Sequence, residues 1–151
     1  MEGQLVLSID GLSDAEVRAI LARVKTFAVI GASPKPERPS NGVMQFLIDQ
    51  GYEVKPVNPG LAGNRIHDQP VYASLAEVPP PVDVVDIFRA SDAVAGIVQD
   101  AIAQKDRLGI KVIWMQLDII NEDAAAEARE AGLEVVMDRC PHIEIPRLMR
   151  G

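Results

Sequence analysis

Apolar residues along this chain switch repeatedly between helical spacing and short unbroken runs. Val17, Ile20, Leu21 and Val24 fall on one helical face, and Ser13-Asp14-Ala15-Glu16 ahead of them has capping-box spacing. Phe27-Ala28-Val29-Ile30-Gly31 is a continuous apolar run ended by glycine, the profile of a strand buried on both faces. Val43, Met44, Leu47 and Ile48 mark the next helix, with Ser40 expected as its cap and Gly51 as its stop. The alternation continues with a strand over Tyr52–Val57, closed by the turn residues Asn58-Pro59-Gly60, and a strand over Val82–Phe88. Ser91 or Asp92 is expected to cap a helix that buries Val94, Ile97, Val98 and Ile102. A strand over Ile110–Met115, a helix from Asn121 through Ala131 stopped at Gly132, and a strand over Leu133–Met137 complete the pattern.

Strands separated by helices of this length run parallel and are joined by right-handed crossovers. The expected fold is therefore α/β: a single-domain, Rossmann-like parallel sheet of about five strands with helices on both faces. The length, 151 residues, is that of one ordinary domain. Residues 1–11 precede the first helical pattern and are expected to form a flexible or loosely packed segment. Aromatic residues are 4% of a chain that is 48% hydrophobic, so the core must be built from Val, Ile, Leu, Ala and Met. Fifteen Lys and Arg against 22 Asp and Glu give a net charge of −7, which disfavours a general nucleic-acid binder. No apolar run approaches the ~20 residues of a membrane span, and Met1–Asp10 lacks a basic start followed by an apolar stretch. One cysteine, Cys140, with His67 and His142, makes neither an internal disulfide nor a metal site. These features point to a soluble cytoplasmic protein with no membrane or nucleic-acid partner.

Ligands of open parallel sheets bind beyond the carboxyl ends of the strands, where strand order switches. After the first strand comes Gly31-Ala32-Ser33-Pro34-Lys35-Pro36-Glu37-Arg38-Pro39-Ser40, a long loop with two cations that runs into a helix start. Free N–H groups and a positive dipole end suit a phosphate there. The loop lacks the Gly-x-Gly-x-x-Gly dinucleotide pattern, having Ser33 where the second glycine belongs. The second strand ends Val57-Asn58-Pro59, without the acid that would hold a ribose diol. After the third strand, Phe88 and Arg89 are placed by that segment alone in the core and on the surface. Asp83 and Asp86 point to opposite strand faces and form no acid–base pair. Trp114 is expected in the core or at its rim, and His67 exposed in a loop. The tail Asp138-Arg139-Cys140-Pro141-His142 reads as irregular, and Cys140 as a small buried thiol rather than a nucleophile.

The loop Gly31–Ser40 together with Pro56-Val57-Asn58-Pro59, Val85-Asp86-Ile87-Phe88-Arg89, Trp114-Met115-Gln116 and Met137-Asp138-Arg139-Cys140 resembles the stand-alone CoA-binding domain proteins of bacteria and archaea. Those proteins are similar to the N-terminal CoA-binding domain of the succinyl-CoA synthetase alpha chain. The resemblance runs from about Leu12 to the C-terminus. It implies a Rossmann-like fold that holds the ADP portion of coenzyme A, with Gly31, Ala32, Ser33, Lys35, Arg38 and Ser40 around the phosphates. It further implies Val57, Asn58 and Pro59 beside the adenosine, and Ile87, Phe88 and Arg89 as the opposite wall. It also accounts for the missing ribose acid, because a carboxylate would repel the 3′-phosphate of CoA. Many relatives carry Gly where this chain has Asp118, at the end expected to face the pantetheine arm.

The resemblance implies binding of CoA or an acyl-CoA without the ligase reaction, since nothing in these residues corresponds to the synthetase's phosphohistidine segment. No catalytic residue is assigned. The alternative is a small NAD(P)-dependent oxidoreductase or other nucleotide-binding enzyme, against which stand the missing glycine and the missing acid. Cys140 leaves open a mixed disulfide with the CoA thiol, and the sequence is compatible with a homo-oligomer.

Overall fold

The structure is a computed structural model that describes residues 8–149. In chain order its elements are α1 (Asp14–Arg23), β1 (Thr26–Ile30), α2 (Pro39–Asp49), β2 (Glu53–Val57), β3 (Arg65–Ile66), β4 (Gln69–Pro70), β5 (Val84–Ile87), α3 (Val94–Leu108), β6 (Val112–Met115), α4 (Glu122–Glu130), β7 (Glu134–Val136) and α5 (Pro141–Met149). Five strands form one parallel sheet in the order β2-β1-β5-β6-β7. The chain leaves β1 toward one edge and returns from β2 to the other side of β1, so strand order reverses between β1 and β5. The expected parallel α/β sheet is the one observed.

Alternation along each strand divides the core into two layers. Ala28, Val85, Ile87, Ile113 and Met115 pack with α3 and α4 through Val94, Val98, Ala101, Ala124 and Ala128. Val29, Val84, Val112, Trp114 and Val136 pack with α1, α2 and α5 through Val17, Ile20, Met44, Leu47 and Ile145. The helix ends follow local chemistry. Ser13 and Glu16 form the complete capping box on α1, and the Asn121 side chain accepts from the Ala124 N–H at the start of α4. Two expected caps differ. Arg38, not Ser40, precedes the first turn of α2, where Pro39 fits because its missing N–H has no partner to lose. Ser91 lies in a short 3-10 turn before α3, and its hydroxyl accepts from the Ile120 N–H instead.

The tail after β7 is not irregular: Pro141–Met149 is a helix that packs Ile145 into the second layer. Residues 1–7 of the segment expected to pack loosely lie outside the described residues. Ser8–Gly11 do not pack loosely. The Asp10 carboxylate is buried, accepts from Arg139 Nε at 2.8 Å and from the Met137 N–H at 3.1 Å, and so anchors the segment to the end of β7. Burial pushes the Asp10 carboxyl up, but bonds from Arg139, Ser8 and the Leu12 and Met137 amides outweigh it and hold the group below the usual range. Glu144 completes the pairing of the Arg139 guanidinium at 3.1 Å. Among the described residues no helix is long and apolar enough to cross a membrane.

Candidate functional site

At the switch between β1 and β5 the two segments that follow these strands nearly touch. Gly31 has φ +88°, and a Cβ built on it would stand 2.7 Å from the Phe88 carbonyl oxygen. Only glycine combines that left-handed backbone with so close an approach. The crossing opens a cleft of about 1000 Å³ that spreads over the carboxyl edge of the sheet. Gly31 and Ala32 donate their N–H groups to the Val57 carbonyl at 3.1 and 3.3 Å, which ties the first loop to the end of β2.

Side-chain amides then fix the shape of that loop. Asn58 Nδ2 donates to the Ala32 carbonyl at 2.8 Å while its Oδ1 accepts from the Gly60 N–H at 2.9 Å. Asn41, in the first turn of α2, donates to the Ser33 carbonyl at 3.0 Å. The Asn41 carbonyl lies 2.9 Å from His67 Nε2, so the β3–β4 hairpin braces the loop from outside. His67 is thus half-buried and engaged, not exposed as expected. Lys35 and Arg38 extend from this loop and Arg89 from the end of β5, all three at the cleft. Among the described residues none of them has an ion-pair partner, in a protein whose net charge is −7.

The β6–β7 end of the cleft is different in character. Gln116, only 5% exposed, lines it as Cys140 does, and Gln116 Oε1 is buried with no hydrogen-bond partner among the described residues. Both carboxyl oxygens of Asp86 are likewise buried without partners among the described residues. Asp86 stands opposite Trp114 in the β5–β6 register, so it lies on the same sheet face as Gln116, one layer deeper. Complete burial pushes its carboxyl well above the usual range. Asp83 is used elsewhere, its carboxylate accepting from the Lys25 and Thr26 N–H groups at 2.8 and 3.1 Å. The two acids are separate, as their parity in the strand implied.

The structure brings Gly31, Ala32, Ser33, Lys35, Arg38, Ser40, Val57, Asn58, Pro59, Phe88 and Arg89 together around this one cleft. Ile87 does not join them. Its side chain is fully buried in the α3–α4 layer, because alternation turns it away from the face that Phe88 shares. Phe88 is half-buried at the cleft wall rather than in the core. Trp114 is a core residue, its Nε1 donating to the Arg139 carbonyl at 2.9 Å. Gln116 received no role from the sequence, although it ends a strand on the ligand-bearing edge.

A doubly wound parallel sheet with its cleft at the switch point places the chain in the Rossmann-like class of α/β proteins. More narrowly, it belongs to the CoA binding domain family, whose match covers residues 25–146. It is 35% identical to the uncharacterized protein YneT of Bacillus subtilis over 128 residues, 85% of this chain and 90% of that one. Over 95 residues, 59% of this chain, it is 37% identical to the ADP-forming acetate–CoA ligase I subunit alpha of Pyrococcus furiosus, of which the match spans 19%. Among solved structures, a hypothetical protein from Pyrococcus horikoshii superposes with a TM-score of 0.88 at 40% identity, each chain covered to 99%.

Proposed function

We propose that the protein binds coenzyme A, or an acyl-CoA, through its ADP portion at the carboxyl edge of the sheet, and acts as a binding protein. The observation that carries this reading is the set of three cations, Lys35, Arg38 and Arg89, without ion-pair partners among the described residues and converging on the switch-point cleft of an otherwise acidic molecule. They supply charge-assisted hydrogen bonds to phosphate oxygens, the stronger kind of hydrogen bond. The N-terminus of α2 adds the positive end of its dipole beside the same loop. Adenosine is assigned to Val57, Asn58 and Pro59, and the pantetheine arm runs from there toward Gln116. Membership in the CoA binding domain family and the match to part of an acetate–CoA ligase subunit support the choice of ligand. We assign no catalytic residue.

The competing reading, a dinucleotide-using oxidoreductase, needs an acceptor for the ribose diol at the end of β2. Asn58 occupies that place, and its amide is already committed on both sides, to Ala32 and to Gly60. Thermal unfolding in parallel with CoA, NAD and NADP separates the two. A ligand at a hundred times its Kd stabilises by roughly 2.7 kcal/mol, so CoA is expected to raise Tm by about 5–10 °C. NAD and NADP are expected to leave it unchanged. Stabilisation by NAD without stabilisation by CoA would reverse the assignment.

A further inference from the structure

We propose that the β6–β7 end of the cleft is a thiol–disulfide exchange site, at which Cys140 forms a mixed disulfide with the pantetheine sulfur of CoA while Gln116 holds the adjacent amide. The inference rests on the reading of the cleft as a CoA site and adds a covalent function to it.

Three placements carry it. Cys140, 7% exposed, lines the same cleft as Lys35 and Arg38. Strands β2 and β7 are the two edges of the sheet, four inter-strand steps apart, which is ~19 Å. A ligand with its adenosine at Val57–Pro59 therefore directs its far end to Gln116 and Cys140. Second, Gln116 lines the cleft, and its Oε1 is a buried acceptor with no donor among the described residues. Such an atom is costly to leave unpaired, and a ligand N–H relieves it. Pantetheine ends in an amide N–H separated from the sulfur by two methylene groups, so an N–H given to Gln116 brings the sulfur close by. Third, the Arg139 N–H reaches the Met115 carbonyl at 3.4 Å, which seats Arg139-Cys140 alongside Met115-Gln116. Cys140 also caps α5, its carbonyl accepting from the Ile143 and Glu144 N–H groups at 2.9 Å, so the sulfur lies at the positive end of that helix.

The co-reactant is a disulfide of CoA with itself or with another small thiol. The Cys140 thiolate attacks the CoA sulfur, and the Cys140–CoA disulfide forms as the original S–S bond breaks. The departing thiolate takes up the proton that Cys140 lost, so one disulfide is exchanged for another with no net oxidation.

The test is the intact mass of the protein after incubation with CoA disulfide, with glutathione disulfide as a parallel probe. One CoA is expected to add covalently, to be released by dithiothreitol, and to be absent from Cys140→Ser. The rate is expected to exceed that with glutathione disulfide at least tenfold. Gln116→Ala is expected to remove most of that preference. Equal rates with both disulfides, or a preference that survives in Gln116→Ala, would overturn the proposal. If reduced CoA binds and no adduct forms, the exchange site is refuted and the binding function stands. If reduced CoA does not bind, both fail.

Discussion

At Gly31 the backbone runs at φ +88°, and a side-chain carbon would meet the Phe88 carbonyl oxygen at 2.7 Å. A left-handed conformation costs an L-residue roughly 1–2 kcal/mol, and the contact with rigid backbone adds to that. Gly31→Ala is therefore expected to destabilise the fold by about 2–4 kcal/mol, read from the urea midpoint at constant slope. An unchanged midpoint would mean that the β1–β5 crossing is not closed as described. Asp118 shows the converse: its φ is +67°, which accounts for the glycine that the family resemblance places there. At this scale the sequence is legible where a residue's chemistry acts locally. The loop cations fall at the cleft because they follow a strand end. The layer that Ile87 joins is not legible, because it belongs to a strand buried on both faces, where apolar character does not say which face a residue takes. The orphaned oxygens of Asp86 have no local signature, since an acid in an apolar run gives no sign of whether its partner exists.

Elements with regular periodicity, α1 to α4 and the five sheet strands, could be read from spacing alone. Two elements could not, for separable reasons. The β3–β4 hairpin turns on His67 and Asp68, both left-handed at φ 50° and 66°, without the Asn-Gly that normally announces such a turn. Helix α5 begins at Pro141 and contains Pro146, which interrupt the helical pattern. It is held instead by long-range pairing: Arg139 joins Asp10 to Glu144, and Arg147 meets both oxygens of Asp14 at 2.9 and 3.0 Å. The Asp10 side chain is fully buried and that of Arg139 is 9% exposed, so breaking the pair leaves a buried charge short of its partner. Asp10→Asn is expected to cost about 3 kcal/mol at pH 7. Because the folded carboxyl is held below its unfolded value of about 3.9, its stabilisation is present above that pH and is lost as pH falls through the folded value. The difference in urea midpoint between parent and variant should accordingly be full at pH 7 and close below about pH 4. A difference that stays constant with pH would show that packing, not charge, anchors the N-terminal segment.

Across the whole molecule, the parallel sheet determines where binding happens and the loops determine what binds. Five parallel strands with a reversal between β1 and β5 create an opening wherever the connecting loops diverge, and the alternation of apolar runs with helical faces was enough to anticipate it. The charge balance was also informative, since Lys35, Arg38 and Arg89 stand out against a net charge of −7. Cys140 is legible as a residue of the ligand-bearing edge because it follows the last strand; that Gln116 lines the same cleft with a buried, unbonded oxygen is not, because that depends on how α5 and the neighbouring strands close over it. The central claim is that this cleft binds CoA through its phosphates. Isothermal titration of CoA into the parent protein, Lys35→Ala and Arg38→Ala tests it most directly. Each cation's hydrogen bond is worth roughly 1.5–3 kcal/mol, so each variant is expected to bind at least tenfold more weakly than the saturable one-to-one binding of the parent. An absence of saturable heat in the parent, or an affinity unchanged in both variants, would contradict the account.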